Sequence, residues 1–392
     1  MRYLLRSLRD EYRAIFSDKG VVLIFIAGLT IYTGFYPLPY SNEVLKELPV
    51  VPVDLDDSAL SRKLMRWAEA TEEVRLAHET RDLAEAKQHV LNGTASGIFV
   101  IPEGFERDIL RGERATVAAY GDACYFLVYR QVITGLYKAA ATLSAGIEIR
   151  RMTARGLGEE HAYAARDPVP LDSRPLFNPA SGYATYVVPG VLLLILQQTL
   201  LIGIGMLGGT RNEAFREAPP PPKGARDSYT ALLIGRGFAY FSLYILYPLF
   251  YLFVIFRIYD LPIRGELDTV MLFLVPYVLA IVYLGLALSA LFRIREHSIP
   301  ALICTSMPAV FLVGFAWPAD AIPLWLRQLS LLLPSTTGVA GFLRLNQMGA
   351  SLREVRFEWL WLWFLCALYF ALAWLALHRR TPFRHRVHDH LP

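Results

Sequence analysis

The chain has 392 residues, 54% hydrophobic, 13% aromatic and 19% charged, with a mean hydropathy of +0.35. That is too apolar for a soluble domain and too charged for membrane helices alone, so it predicts spans joined to a sizeable polar domain. A net charge of +4 spread over short segments gives no nucleic-acid footprint, and three dispersed cysteines exclude a disulfide framework.

Residues 1–19 hold Arg2, Arg6, Arg9, Arg13 and Lys19, and 3–16 place Leu4, Leu5, Leu8, Tyr12, Ile15 and Phe16 on one helical stripe. This predicts an interfacial helix lying under the bilayer. It leads into a first span, 20–36. Gly34-Phe35-Tyr36-Pro37 offers no small-x-small cleavage site, so a retained signal-anchor is expected. Five further apolar segments, 184–208, 230–256, 270–292, 299–317 and 358–377, are long enough for the roughly 20 residues a bilayer needs. The fold class expected is therefore an α-helical polytopic membrane protein with six transmembrane helices.

Between the first two spans, 37–183 reads as an inserted α/β domain. Strands are predicted over 48–53, 73–77, 96–101 and 115–120, and helices over 59–70, 81–91, after Gly104-Phe105, and over about 125–155. Ser58 is a cap candidate, Leu60, Leu64 and Trp67 are expected to be buried, and Asn92-Gly93 is a stop. Asp54, Asp56, Asp57 and Asp122 fall at strand ends; capping and turn roles are favoured over a metal site.

Basic residues sit in 1–19, in 209–229 (Arg211, Arg216, Lys223, Arg226), in the turn at Arg293 and Arg295, and in the tail 378–392. These segments alternate with the others, which places both termini in the cytoplasm and 37–183 outside. Arg327, Arg344, Arg353 and Arg356 run against this pattern. Residues 40–178 carry 17 Lys and Arg against 21 Asp and Glu, net −4, so the remainder of this +4 chain carries +8.

Within the spans, Gln197, Gln198 and Thr199 form a polar cluster that should face a partner helix or a translocation path, the helix contact being preferred. Residues 318–341, preceded by Trp317, carry Pro318, Pro323, Pro334, Trp325 and six leucines. Prolines break a straight helix and tryptophans settle at headgroup level, so a short re-entrant hairpin is expected. Leu324, Leu326, Leu329 and Leu332 are its candidate gate residues. No Gly-x-x-x-x-Gly-Lys-Ser/Thr, Gly-x-Ser-x-Gly or His-Glu-x-x-His occurs, and acids are nearly missing from span interiors. The chain is expected to have no catalytic, cofactor or metal residues. His385, His388 and His390 read as tail residues beside lipid headgroups.

Several motifs then line up in order. These are Asp54-Leu-Asp-Asp57-Ser58, Leu91-Asn-Gly93, Gly97-Ile-Phe-Val-Ile-Pro-Glu-Gly-Phe105, Leu110-Arg-Gly112, Asp122, Tyr186-Val-Val-Pro-Gly190 and the 308–341 stretch. Together, over nearly the whole chain, they resemble type 2 ABC exporter permeases. That resemblance implies six spans per subunit, a second permease copy or close homologue, and separate cytoplasmic ABC ATPase subunits that hold ATP and Mg. It also implies an inner-membrane location and a periplasmic adaptor protein touching the external domain. Coupling to the ATPase falls to 209–229, with Arg211, Glu213 and Arg216 as candidates. The family's Arg-Glu-x-Glu-x-Gly-Thr is only partly matched by Gly209-Thr-Arg-Asn-Glu-Ala-Phe-Arg-Glu217. The alternative reading is a membrane-anchored ligand-binding or sensor protein.

Overall fold

The computed structural model describes residues 2–217, 228–315 and 317–379. It divides into two compact units, Val44–Arg174 and the two flanking stretches Met1–Glu43 and Pro175–Pro392.

Val44–Arg174 is built on a four-stranded sheet of β1 (Leu48–Asp54), β2 (Val74–Leu76), β3 (Gly97–Ile101) and β4 (Ala118–Gly121), in the order β2-β1-β3-β4. β1 runs parallel to β2 and β3, with Val50 opposite Gly97 and Asp54 opposite Ile101. β4 returns antiparallel, pairing Gly97 with Gly121. Successive strand side chains point to opposite faces, so Val50, Phe99 and Ile101 enter one core while Val51, Val53 and Ile98 enter the other. The first core is closed by helices Ala59–Glu69 and Phe126–Ala154, the second by Leu83–Leu91. This is why β3 reads as a continuous apolar run.

The predicted caps are present. The Ser58 hydroxyl accepts from the Ser61 amide at 3.0 Å, and Ser61 Oγ accepts in return from the Ser58 amide at 2.9 Å. Leu64 and Ala68 form the buried line of that helix, whereas Leu60 and Trp67 are half-buried at its edge. The aspartates at strand ends are turn formers. Asp54 accepts from the amides of Asp56 and Asp57 and from the Ser61 hydroxyl at 2.6 Å. Asp56 accepts from the Glu106 amide at 3.0 Å, and Asp57 pairs with Arg62 and Arg81. Among the described residues, no group of three or more His, Cys, Asp or Glu could hold a metal ion.

The flanking unit is helical. Five helices in the described residues are long and apolar enough to cross a membrane: Lys19–Tyr40, Tyr183–Ala214, Tyr229–Ile258, Leu267–Ser289 and Arg356–Arg379. The second of these is the hub, with 83% of its most apolar window buried against 28% for the first and the last. Residue 203 must be glycine for the first span to approach, because the Phe25 ring occupies the place of a Cβ. Phe25 lies in a π-helical stretch, Leu23–Gly28, and its carbonyl accepts from the Tyr247 hydroxyl at 2.6 Å. Its ring meets Tyr244 edge-on, with centroids 4.9 Å apart.

One expectation changes here. The segment expected to span at 299–317 is not one helix but two, Ser298–Ile303 and Ser306–Leu312, broken at Cys304 and Thr305. Pro308 has no amide to return to the Cys304 carbonyl, so the chain bends one turn before it. The N-terminal helix, Arg2–Ser17, meets the rest of the unit along a line that shares only Ile15 with its apolar stripe. Ser7, Glu11 and Ile15 are buried, while Leu5 and Phe16 are exposed.

After Phe315 come a 3-10 turn at Ala319–Ala321, a short helix Leu324–Ser330, and the longer helix Pro334–Met348. Gly314, at φ +94, allows the reversal that starts this excursion. The last span fixes its far end: Trp361 Nε1 donates to the Leu331 carbonyl at 2.8 Å and the Tyr369 hydroxyl donates to that of Leu332.

Candidate functional site

One end of the helical unit is held together by charge. Glu11, 2% exposed, projects from the N-terminal helix between the ends of two spans. Its Oε2 lies 2.6 Å from Arg211 Nη2 at the end of the second span and 3.3 Å from Arg236 Nε in the third. Its other oxygen accepts from the Tyr240 hydroxyl. A buried carboxylate holds its charge only when it is paired and hydrogen-bonded, and here both oxygens are occupied. The Ser7 hydroxyl adds a bond to the Leu232 carbonyl at 2.9 Å, so the helix is anchored along two turns.

A second ion pair joins the start of the first span to the turn before the broken helix. Asp18 caps its helix by accepting from the amides of Gly20 and Val21 at 3.0 and 3.1 Å. The same carboxylate receives both terminal nitrogens of Arg295, one of them at 2.8 Å. That hydrogen bond holds the Asp18 carboxyl below its ordinary value of 3.8, so it is ionised throughout the neutral range. The Arg295 amide in turn donates to Glu213 at 3.3 Å, and Asn212 Nδ2 donates to the carbonyls of Ser289 and Phe292 at 3.0 and 2.5 Å. Gly209 makes this possible: a Cβ there would sit 2.7 Å from Arg295 Cα.

Of the coupling candidates, Arg211 thus points inward onto Glu11 and Glu213 onto the backbone of the 290–297 turn. The Arg216 side chain, most of the following loop and the tail histidines lie outside the described residues. Sequence reasoning missed Glu11, Arg236, Tyr240 and the Asp18–Arg295 pair. The available signal was the spacing of Ser7, Glu11 and Ile15, one polar-to-apolar line at four-residue intervals.

The polar row of the second span turns toward two different helices. Gln197 is buried and its Nε2 donates to Ser335 Oγ at 3.2 Å on helix Pro334–Met348. Gln198 reaches the helix break instead, donating to the Leu302 carbonyl and to Thr305 Oγ1 at 3.3 Å. Thr199 returns to its own helix, at the Ile195 carbonyl, 2.9 Å away. At the other candidate surface, Leu324, Leu329 and Leu332 are exposed with Trp325, while Leu326 is half-buried. They form an apolar ridge along a short helix capped by Pro323 and the turn after it, with the Arg327–Asp320 pair at 2.9 Å beside them.

A hub span crowded by glycines, a broken helix and a proline-bounded excursion make a multi-pass membrane fold with no assembled catalytic set among the described residues. The description "ABC-2 family transporter protein" fits residues 19–375. The chain belongs to that family. Members of the ABC-2 family are membrane permease subunits and not themselves enzymes, and such permeases work with ATPase subunits. The chain is also similar to the probable multidrug ABC transporter permease YbhR of Escherichia coli, in strain K12 and in O157:H7 alike. Each is 25% identical over 160 residues, which is 40% of this chain and 42% of the relative. The match therefore covers under half the length of these curated relatives.

Proposed function

We propose that this permease is the membrane half of an ATP-driven exporter of the bacterial inner membrane. Two copies enclose the path, and separate cytoplasmic ATPases drive it. The observation that carries the reading is the ionic clasp at one end of the helical unit. Glu11, Arg211, Arg236, Asp18 and Arg295 bind the N-terminal helix, the ends of two spans and the 290–297 turn into one block. A push on such a block reaches the second span and the broken helix together, because packed elements move as units. The segment 209–229, with Arg211, Glu213 and Arg216, is where the ATPase presses. The two short helices over 298–312 complete a sixth, bent crossing, and Val44–Arg174 lies outside. Drug-like amphiphiles are the first substrates to test, after the name of the partial relative.

Cysteine labelling tests the topology. With the exposed Cys124 and Cys304 replaced by serine, cysteines at Glu72 and Arg264 react with an impermeant maleimide from outside intact cells, and one at Glu296 does not. Labelling of the Glu296 position from the outer face contradicts the orientation.

The ridge at Leu324–Leu332 forms the outer seal where two copies meet. Leu329→Asp brings water into the seal, since a charge there is costly without it, and the resting protein leaks small ions from loaded vesicles. A variant that inserts normally, stays ion-tight and still exports removes this ridge from the gate.

A further inference from the structure

We propose that the N-terminal helix with the first and third spans forms a site for one acidic glycerophospholipid, one of its acyl chains in a groove and its phosphate on Arg9 and Arg13. The groove has a volume of about 310 Å³ and is walled by Phe16, Phe25, Thr30, Leu243, Tyr247 and Phe250, so it is almost wholly apolar. Phe16 is also the wall of a shallow hollow along the N-terminal helix that holds Arg9, Tyr12 and Arg13. The two depressions share the Phe16 ring, and Arg9 and Arg13 line the second with their apolar stems while their side chains are exposed beyond it.

The cations are available. Arg9 and Arg13 are exposed, and neither has an ion-pair partner among the described residues, whereas Arg6 next to them pairs with Asp10 at 3.8 Å. The wall between groove and cations is fixed. The Tyr12 ring stacks on Phe16 with centroids 6.4 Å apart, and its hydroxyl is hydrogen-bonded to Ser242 in the third span.

The dimensions fit a lipid of one leaflet. From Lys19 to Thr30 the helix rises about 16 Å at 1.5 Å per residue, close to half of the roughly 30 Å hydrocarbon thickness. The first span leaves most of its surface uncovered, so the groove opens where acyl chains are the solvent. Cations at the interface above an apolar slot one leaflet deep reproduce the order of an anionic lipid, phosphate above chain. A protein segment in the groove would have to bring its own anion to the same two arginines.

The test is native mass spectrometry of the full-length chain titrated with phosphatidylglycerol or phosphatidylcholine. The wild type takes up one phosphatidylglycerol per chain saturably, preferred by roughly tenfold or more, given about 1 kcal/mol per cation near a lipid surface. The variant R9Q/R13Q loses the preference while still binding lipid, and Thr30→Trp, which fills the groove, weakens both lipids. An undiminished preference in R9Q/R13Q overturns the proposal. So does Thr30→Trp dissociating a dimer while lipid binding is unchanged, since the groove is then a contact between copies.

Discussion

Glu11→Ala destabilises the purified permease by about 3–5 kcal/mol, because it strands two cations in a site from which water is largely excluded. Arg211 and Arg236 expose only 20% and 19% of their side chains, so neither can recover its hydration without moving. The order among variants is the sharper expectation. The cluster holds two guanidinium groups on one carboxylate, so Arg236→Met, which removes the partner at 3.3 Å, leaves a balanced Glu11–Arg211 pair and costs least. Arg211→Met removes the 2.6 Å partner and costs more. Combining Glu11→Ala with Arg211→Met gives less than the sum, since the second change relieves what the first left unpaired. Thermal unfolding in detergent, followed by tryptophan fluorescence, reads the series. A Glu11→Ala protein within about 0.5 kcal/mol of wild type, the usual range for surface substitutions, would falsify the clasp.

Gly209→Ala lowers stability by about 1–3 kcal/mol, the usual cost of overpacking, and pulls the 290–297 turn away from Asp18. The atoms a Cβ would meet are Arg295 Cα at 2.7 Å and Arg295 N and Ile294 C at 2.8 Å. All three are backbone, so no side chain can swing aside. Gly205→Ala meets the tip of Leu302 at 2.9 Å and is accommodated more cheaply. Gly34→Ala is the control, since no described atom beyond its chain neighbours and its own helix backbone lies within 4 Å of its Cβ, and it leaves stability unchanged or slightly raised. Equal behaviour of all three variants would mean that the turn is not held against the second span.

The sheet unit was the part most legible in the sequence. Its signals are local: the valine-rich run of β1, the Ser58 cap, Asn92-Gly93 and the double-faced run of β3 each act within a few residues. The antiparallel return of β4 was not legible, since it depends on a six-residue helix too short to carry the chain across the sheet. Hydropathy found five long spans but treated 299–317 as a sixth continuous one, because a window average cannot see that Pro308 withholds a single amide. The clasp was hidden for a different reason. Arg211 and Arg295 read as topology charges on separate loops, and only the folded chain brings Glu11 and Asp18, at sequence separations of 200 and 277, onto them. The same holds for the polar row, whose adjacent Gln197 and Gln198 serve two different helices.

The most direct measurement is ATP-dependent transport by vesicles reconstituted from this chain and a candidate ABC ATPase, with the wild type beside Glu11→Gln. If the clasp passes the ATPase stroke to the path, the wild-type particle holds two copies of the chain and transports a drug-like amphiphile only when ATP and the ATPase are both present. Glu11→Gln, assembled to the same stoichiometry, then hydrolyses ATP at its basal rate but has lost stimulation by substrate. Transport by the chain without any ATPase, or full substrate stimulation in the assembled Glu11→Gln particle, would contradict that coupling.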